Sequence, residues 1–293
     1  MSTVLVTGCS SGIGLETAIA LGRAGHAVYA TMRKPEADRR LQETVRSEKL
    51  PVSILALDVD SDESVAAAFA TVRSKGGFLD ALVNNAGIDR LGSIEELPFE
   101  AFRASMETNY FGSLRCIRAC LPEMRKHRRG CIVNVTSVAG RISASPMSPY
   151  AASKFALEAL SESLAQEVKP FNIRVAIVEP GIIDTPMARR VAEPIVGSQY
   201  SHVSRFFGMF VAALANPVEP SIVANKIVEI IESNSWQLRH PVGPDAQPFL
   251  DWRASMNDEQ WVNWAALDDN GWYERVSRDF GLDARPKNQK RSA

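Results

Sequence analysis

The stretch T-V-L-V-T-G-C-S-S-G-I-G at residues 3–14 decides the fold. Residues 3–7 are apolar and β-branched, which indicates a short buried strand. A glycine-rich turn follows, and a helix comes next because Ala18, Ile19 and Leu21 recur at helical spacing. A strand, a glycine-rich turn and a helix in this order are typical of the first βαβ unit of a dinucleotide-binding domain.

The glycine-rich turn has the residues that a pyrophosphate needs. Gly8 permits a tight turn, Gly12 lets the backbone approach the phosphates, and Gly14 permits close packing of helix on strand. The helix N-terminus adds free N–H groups and the positive end of its dipole. The other cofactor-binding candidates of the turn are Ser10, Ser11 and Ile13. The spacing is G-x-x-x-G-x-G, and glycines also serve ordinary turns, so the motif alone does not identify a ligand.

Two cations follow the second predicted strand, residues 27–31. NAD-binding domains have an acidic residue near this place, about 20 residues after the glycine-rich turn, and it binds the adenosine ribose. Here the strand ends in Met32, Arg33 and Lys34. An Arg at this position accommodates the 2′-phosphate of NADP, so Arg33 and Lys34 favour NADP(H) over NAD(H). The alternative is a solvated charge pair on a loop.

Four further apolar runs predict strands at 52–57, 79–83, 131–136 and 173–178, with helical patterns between them. This alternation predicts an α/β fold: a single-domain, Rossmann-type, doubly wound parallel sheet between two layers of helices. Ligands bind beyond the carboxyl ends of such strands. The cofactor-binding candidates there are Asp58, Val59, Asn85, Ala86, Gly87, Pro180, Gly181, Ile183 and Thr185. Asp58 could instead cap a loop, and the Asn-Asn-Ala-Gly run could be only a turn.

The catalytic candidates are Ser137, Tyr150 and Lys154. Tyr150 and Lys154 are four residues apart at the start of a predicted helix, so they share one face. A Tyr has an ordinary pKa of about 10, and a cation one turn away favours the phenolate and lowers that pKa. Ser137 could hydrogen-bond the oxygen that gains or loses the proton. The alternative is a chance pair and an ordinary turn serine.

Composition excludes several classes of protein. The chain has 293 residues and a formal net charge of −1, which predicts neither nucleic-acid nor anionic-membrane binding. The four cysteines include no C-x-x-C pair and there are only four His, so we expect no metal site. We find no signal peptide and no apolar run near the ~18 residues of a membrane-spanning helix, so we expect a cytoplasmic protein.

The motifs together resemble the short-chain dehydrogenase/reductase family. They are T-G-x-x-x-G-I-G at 7–14, N-N-A-G at 84–87, Asn109, Ser137, Y-x-x-x-K at 150–154 and P-G at 180–181. The resemblance covers roughly residues 3–245. It implies hydride transfer between a nicotinamide cofactor and an alcohol, ketone or aldehyde. The strand end at Arg33 resembles the NADP-preferring branch, and the G-C-S-S-G-I-G loop resembles members that act on steroids, retinoids and other hydrophobic alcohols or ketones.

The resemblance also implies residue roles. Tyr150 is the general acid/base, and Lys154 lowers the pKa of Tyr150 and holds the nicotinamide ribose. Ser137 orients the substrate oxygen, Asn109 anchors a proton-relay water, and Thr185 touches the nicotinamide carboxamide. Asn109 is also conspicuous as a polar residue among apolar neighbours in a long predicted helix, where it should be hydrogen-bonded or functional. A non-catalytic NADP-binding sensor or regulator on the same fold is the rival interpretation, and the complete set of catalytic residues argues against it.

Substrate choice is expected from the regions that are least family-like. Residues 186–215 are rich in Met and Phe, and they either cover a bulky apolar substrate or fill the core. The substrate-binding candidates are Ser137, Tyr150, Met187, Phe206 and Phe210. We divide the chain into a catalytic domain at 1–245 and a partly helical, tryptophan-rich extension at 246–293, with a charged and frayed end at 287–291. The extension is either a flap or a subunit contact, and we expect a homodimer or homotetramer.

Overall fold

The computed structural model describes residues 1–37, 39–193 and 197–286. Two predicted features fall outside this part of the chain: Ile195 and Val196 of the apolar segment at 186–215, and the charged end at 287–291. The strands in the described residues are β1 (Thr3–Val6), β2 (Ala27–Met32), β3 (Val52–Ala56), β4 (Ala81–Asn84), β5 (Gly130–Val135), β6 (Ile173–Pro180) and β7 (Arg239–Val242). The helices there are α1 (Gly12–Arg23), α2 (Arg39–Glu48), α3 (Asp62–Gly76), α4 (Phe99–Met106), α5 (Gly112–His127), α6 (Ser148–Val168), α7 (Pro186–Val191), α8 (Ser201–Ala213), α9 (Ser221–Glu232), α10 (Ala246–Ala254), α11 (Asp258–Ala265) and α12 (Asp269–Phe280).

All seven strands of the described residues are parallel and form one sheet in the order β3-β2-β1-β4-β5-β6-β7. Val6 of β1 pairs with Ala30 of β2 on one side and with Val83 of β4 on the other. The strand order therefore reverses direction at β1, and this is where doubly wound sheets bind their ligands.

Helices cover both faces of the sheet. Val4 and Val6 pack with α1, α2 and α9, while Leu5 between them packs with α3, α5 and α6 on the opposite face. This follows from the alternation of side chains along a strand. The predicted α/β class and doubly wound parallel sheet are confirmed.

Two local features differ from the sequence-based expectation. The short strand β7 was not predicted; it contains Pro241 and pairs only with β6, as expected of an edge strand. The helix predicted from Phe99 to about Lys126 contains a π-helical turn at Glu107–Phe111, which separates α4 from α5. Among the described helices, none is both long enough and apolar enough to cross a lipid bilayer.

Candidate active site

A cavity of about 760 Å³ lies at the carboxyl ends of the strands. It is lined by Ser137, Tyr150 and Lys154, and also by the glycine-rich turn after β1. The predicted cofactor-binding residues on its wall are Gly8, Ser10, Ser11, Ile13, Arg33, Asp58, Val59, Asn85, Ala86, Gly87, Pro180, Gly181, Ile183 and Thr185. The structure therefore brings most of the candidate catalytic and cofactor-binding groups to one continuous space; the predicted residues that are not on its wall are Gly12, Gly14, Lys34 and Asn109.

The glycine-rich turn is packed so closely that side chains do not fit. Gly8 has φ +73°, and a Cβ there would lie 2.7 Å from the Cα of Ala86. A Cβ on Gly14 would overlap the carbonyl oxygen of Gly8. Helix α1 begins at Gly12 with no acidic residue in its first turn, and the side chain of its N-cap Ser11 makes no capping hydrogen bond. Its first N–H groups and dipole therefore favour an anion such as a pyrophosphate.

The end of β2 supplies a cation to the cavity wall. Arg33 lines the cavity, whereas Lys34 is exposed and is not part of the wall. Asp58 and Val59 line the cavity beyond the neighbouring strand β3. Asp58 also accepts a hydrogen bond from the Asp60 N–H at 3.1 Å, so it shapes its loop and is available to a ligand.

Ser137 and Tyr150 lie together at the end of β5. Ser137 is the N-cap of the short helical turn Val138–Gly140, and its Oγ accepts a hydrogen bond from the Ala139 N–H at 3.1 Å. Tyr150 lies in the first turn of α6 and interacts with the Ser137 hydroxyl, which lowers the pKa of the phenol. Both hydroxyls can thus reach one substrate oxygen.

Lys154 is one turn further along α6 and is 4% exposed. Its Nζ donates a hydrogen bond to the carbonyl oxygen of Val135 at 2.9 Å and lies 5.6 Å from the centroid of the Tyr150 ring. Burial lowers the pKa of Lys154 to about 8, and the Glu158 carboxylate acts in the opposite direction. Lys154 therefore loses its positive charge at a lower pH than an exposed lysine does.

In this structure burial opposes the predicted lowering of the Tyr150 pKa by Lys154. Burial raises the pKa of Tyr150 to about 12, and Asp89 adds to the effect, while the Ser137 hydrogen bond only partly opposes it. The physical reason is desolvation: the phenolate loses water, and the nearby cation is itself disfavoured by burial. Tyr150 is thus a stable proton donor rather than a ready-made base.

Asn109 is fully buried in the π-helical turn and lies behind the cavity wall. Its Oδ1 accepts a hydrogen bond from the Ile88 N–H at 2.8 Å, and its Nδ2 donates to the Ile88 carbonyl at 2.9 Å and to Ser153 Oγ at 2.8 Å. A Cβ on Gly87 would lie 3.2 Å from Asn109 Oδ1 and 3.7 Å from Lys154 Nζ. Asn109 therefore fixes the loop after β4, and Gly87 of that loop lies close to both Asn109 and Lys154.

The loop after β6 is held from behind by Asp245, a residue that the sequence analysis missed. Asp245 Oδ2 accepts a hydrogen bond from the Ile182 N–H at 2.8 Å, and the Gly181 N–H donates to the Val242 carbonyl at 2.9 Å. Thr185, the N-cap of α7, ends this loop and accepts from the Ala188 N–H. The only sequence signal for Asp245 is its position after the Gly243-Pro244 turn.

Apolar side chains form the rest of the cavity wall. Met187, Phe206 and Phe210 line it, and Phe206 also packs with Val203 in a buried cluster. The segment at 186–215 therefore serves as both cavity wall and local core. The extension contributes aromatic rings to the same wall, namely Phe249, Trp252, Trp261, Trp264, Trp272 and Phe280. Of the two alternatives for the extension, the arrangement in the described residues favours the flap.

Comparison with known proteins agrees with this arrangement. The family model described as short chain dehydrogenase matches residues 2–195. Retinol dehydrogenase 8 of Bos taurus is 38% identical over 263 residues, which are 85% of this chain and 83% of that protein. The crystal structure of a short-chain dehydrogenase from Streptomyces avermitilis is 33% identical with a TM-score of 0.76, over 95% of this chain and 98% of its own.

A structure of actinorhodin polyketide ketoreductase with NADPH is also similar, at 30% identity and a TM-score of 0.69, over 84% of this chain and 91% of its own. The match to the family model covers well over half of the chain and includes Ser137, Tyr150 and Lys154. The chain therefore belongs to the short-chain dehydrogenase/reductase family and is an oxidoreductase.

Proposed function

We propose that this protein is an NADP(H)-dependent alcohol dehydrogenase or carbonyl reductase that acts on a fairly bulky apolar substrate. The observation that carries the proposal is one cavity that holds a phosphate-binding turn, the Ser137–Tyr150–Lys154 group and an apolar wall. The reaction is hydride transfer between the nicotinamide and a secondary alcohol, ketone or aldehyde.

The residues present fit a dinucleotide. The closely packed Gly8 and Gly14 leave room for backbone to approach a pyrophosphate, and the first turn of α1 is free of acidic side chains. Arg33 on the wall suits the 2′-phosphate of NADP. The ribose of NAD, which carries only hydroxyl groups there, would offer this guanidinium no anionic partner. A similar ketoreductase has been solved with NADPH. The cofactor supplies the hydride chemistry, and the protein supplies orientation and proton transfer.

The chain's own residues then handle the proton. Ser137 donates a hydrogen bond to the substrate oxygen, and Tyr150 gives that oxygen a proton in reduction or removes it in oxidation. Lys154 keeps positive charge beside Tyr150 and is placed to hold a ribose hydroxyl. Asn109 fixes the loop after β4, and Gly87 of that loop lies close to both Asn109 and Lys154. The proposed part of Asn109 in a proton relay rests on this proximity to Lys154.

Several further expectations remain part of the proposal. We assign residues 1–245 to the catalytic domain and the rest to an extension, which agrees with the start of α10 at Ala246. Cys116, Cys120 and Cys131 are buried free thiols, which supports a reducing compartment such as the cytoplasm. Phe99, Phe111 and Phe155 are 41–64% exposed, and this supports a homodimer or homotetramer.

The test is a screen of ketones and aldehydes that follows the oxidation of NADPH. The proposal expects turnover with bulky apolar ketones and loss of turnover in Tyr150→Phe with cofactor binding retained. Tight NADPH binding without turnover of any carbonyl compound would contradict it, and would favour the sensor instead.

A further inference from the structure

Part of the cavity wall is formed by indole rings of the C-terminal extension. Trp252, Trp261 and Trp264 line the cavity and are each half-buried. Trp272 is 5% exposed and packs beneath Trp264, with ring centroids 5.7 Å apart. Three half-buried indoles thus contact one another, and one of them, Trp264, packs on the buried Trp272.

These rings have a regular arrangement. The planes of Trp261 and Trp264 are parallel to within 3°, with centroids 5.9 Å apart. Trp252 stands nearly perpendicular to both, at 5.5 Å from Trp261 and 5.0 Å from Trp264. The indole planes therefore have two defined orientations on this part of the wall. A planar ring system can pack against such indoles in stacked or edge-to-face contact.

The wall is fixed to helix α8, which also carries Phe206 and Phe210. Arg205 of α8 is 4% exposed, and its Nη1 donates a hydrogen bond to the Leu267 carbonyl at 2.6 Å. Its guanidinium also lies 5.6 Å from the centroid of the Trp272 ring. A Cβ on Gly208 of the same helix would overlap the carbonyl oxygen of Ala284. The extension is therefore docked on α8 closely enough to hold a defined wall.

The buried Trp264 Nε1–H has no hydrogen-bond partner among the described residues, whereas two other polar groups around the indoles are engaged by the wall itself. The Trp252 Nε1–H donates to Asp279 at 3.2 Å, and the Arg253 guanidinium lies over Trp261 at 4.9 Å. The residues that the described part of the extension contributes to the cavity are aromatic or aliphatic, without a charged side chain among them. A charged group would lose its hydration there without gaining a charged partner from the extension.

We propose that this indole-lined part of the wall binds a flat, conjugated and uncharged part of the substrate, separate from the carbonyl or carbinol that reacts at Tyr150. The inference rests on the proposed function and refines its substrate class from bulky apolar compounds to planar conjugated ones. A saturated ring system of the same size gains the hydrophobic contact but not the interaction with the π faces.

The test compares 4-(2-naphthyl)butan-2-one with its saturated analogue 4-(2-decalyl)butan-2-one, in which two methylene groups separate the ring system from the same alkyl methyl ketone. Binding is measured by calorimetry without cofactor, and reduction is measured with NADPH. The unmutated protein should bind and reduce the naphthalene ketone better, by roughly 2- to 12-fold, which is the range of one aromatic contact. Equal use of both ketones, or a preference for the decalin, would overturn the proposal.

A tryptophan variant locates the effect. Trp261→Leu keeps an apolar side chain and should reduce the preference for the naphthalene ketone, and Trp252→Leu should do the same if Trp261→Leu does not fold. The matched control is Trp236→Leu, because Trp236 is 43% exposed, lies over Lys169 and is not part of the cavity wall. A preference that survives both cavity variants would overturn the proposal. If no ketone is reduced, the proposed function fails, and the binding comparison still decides whether the subsite exists.

Discussion

The Lys154 Nζ lies 5.6 Å from the centroid of the Tyr150 ring and donates its hydrogen bond to the Val135 carbonyl. Burial favours the neutral form of both side chains. It raises the pKa of Tyr150 to about 12 and lowers that of Lys154 to about 8. At neutral pH the phenol is protonated and the amine is mostly charged. The pair is therefore set to donate a proton, as reduction of a carbonyl requires.

Tyr150→Phe should abolish most turnover. The change removes one hydroxyl, so the fold and NADPH affinity should persist while turnover falls by at least about 10²-fold, the lower end of what general acid catalysis contributes. Tyr110→Phe is the control, because Tyr110 packs against Phe111 and is not part of the cavity wall. Substantial activity in Tyr150→Phe with normal NADPH binding would exclude the phenol as the proton donor.

The pH profile of reduction should report Lys154 rather than Tyr150. Tyr150 stays protonated at every pH below about 12, so its own titration does not limit proton donation in the working range. Lys154 loses its charge as pH rises through about 8, so kcat/KM for reduction should decline above that pH. Lys154→Arg stays charged and should show no such decline, whatever its absolute activity. A decline that is unchanged in Lys154→Arg would assign it to another group.

Much of the fold was predictable because parallel strands are buried on both faces. Such strands read as near-continuous apolar runs rich in β-branched residues, as at 131–135 and 173–178. The strand β7 has the sequence R-H-P-V, is only partly buried and lies at the edge of the sheet, so it has no such run. The π-helical turn at 107–111 also left no pattern, since one extra residue per turn hardly changes the spacing of apolar side chains.

At the candidate site, the grouping of Ser137, Tyr150 and Lys154 around one cavity was predictable, and the electrostatics of these residues were not. The motif placed Tyr150 and Lys154 on one helix face, but their pKa values depend on burial by distant segments. The position of the tryptophans on the cavity wall could not be predicted from the sequence either. It depends on contacts between α8 and the extension, such as that of Gly208 with Ala284, and the sequence spacing of these residues does not encode them.

Arg33→Asp should reverse cofactor preference. Arg33 lines the cavity at the end of β2, so the unmutated protein should have a higher kcat/KM with NADPH than with NADH. An aspartate there repels a 2′-phosphate and accepts hydrogen bonds from ribose hydroxyls instead. Lys34→Asp makes the same charge change one residue away, outside the cavity wall, and should alter the preference much less. Equal kcat/KM for both cofactors in the unmutated protein would argue against the phosphate role.

Phe206→Ala and Phe210→Ala should behave differently. Phe206 is 4% exposed in a buried cluster, so its loss should lower the free energy of unfolding by about 3–5 kcal/mol. Phe210 is only half-buried and lines the cavity, so its loss should cost less stability. It should instead change kcat/KM unequally for large and small ketones. Denaturant unfolding and a ketone series measure the two effects, and a uniform loss across ketones in Phe210→Ala would assign Phe210 to the core.

Glu179→Gln should flatten the dependence of stability on pH. Glu179 is fully buried, with Arg141 Nη1 at 3.5 Å and Arg239 Nε at 3.8 Å. Burial, aided by the Glu158 carboxylate, raises the pKa of Glu179 from 4.5 to about 7 despite these arginines. Between those two pH values the folded state holds more protons than the unfolded state, so the free energy of unfolding falls as pH rises.

Glutamine has the same shape and does not titrate, so the variant should lose less stability than the unmutated protein between about pH 5 and about pH 8. The difference should be on the order of 1–3 kcal/mol, measured by denaturant unfolding at both pH values. Glu162→Gln is the matched control, because Glu162 also pairs with Arg239 but is 53% exposed, and it should leave the slope unchanged. If Glu179→Gln and the unmutated protein lose stability in parallel, Glu179 is ionised throughout this range and its two arginines outweigh its burial.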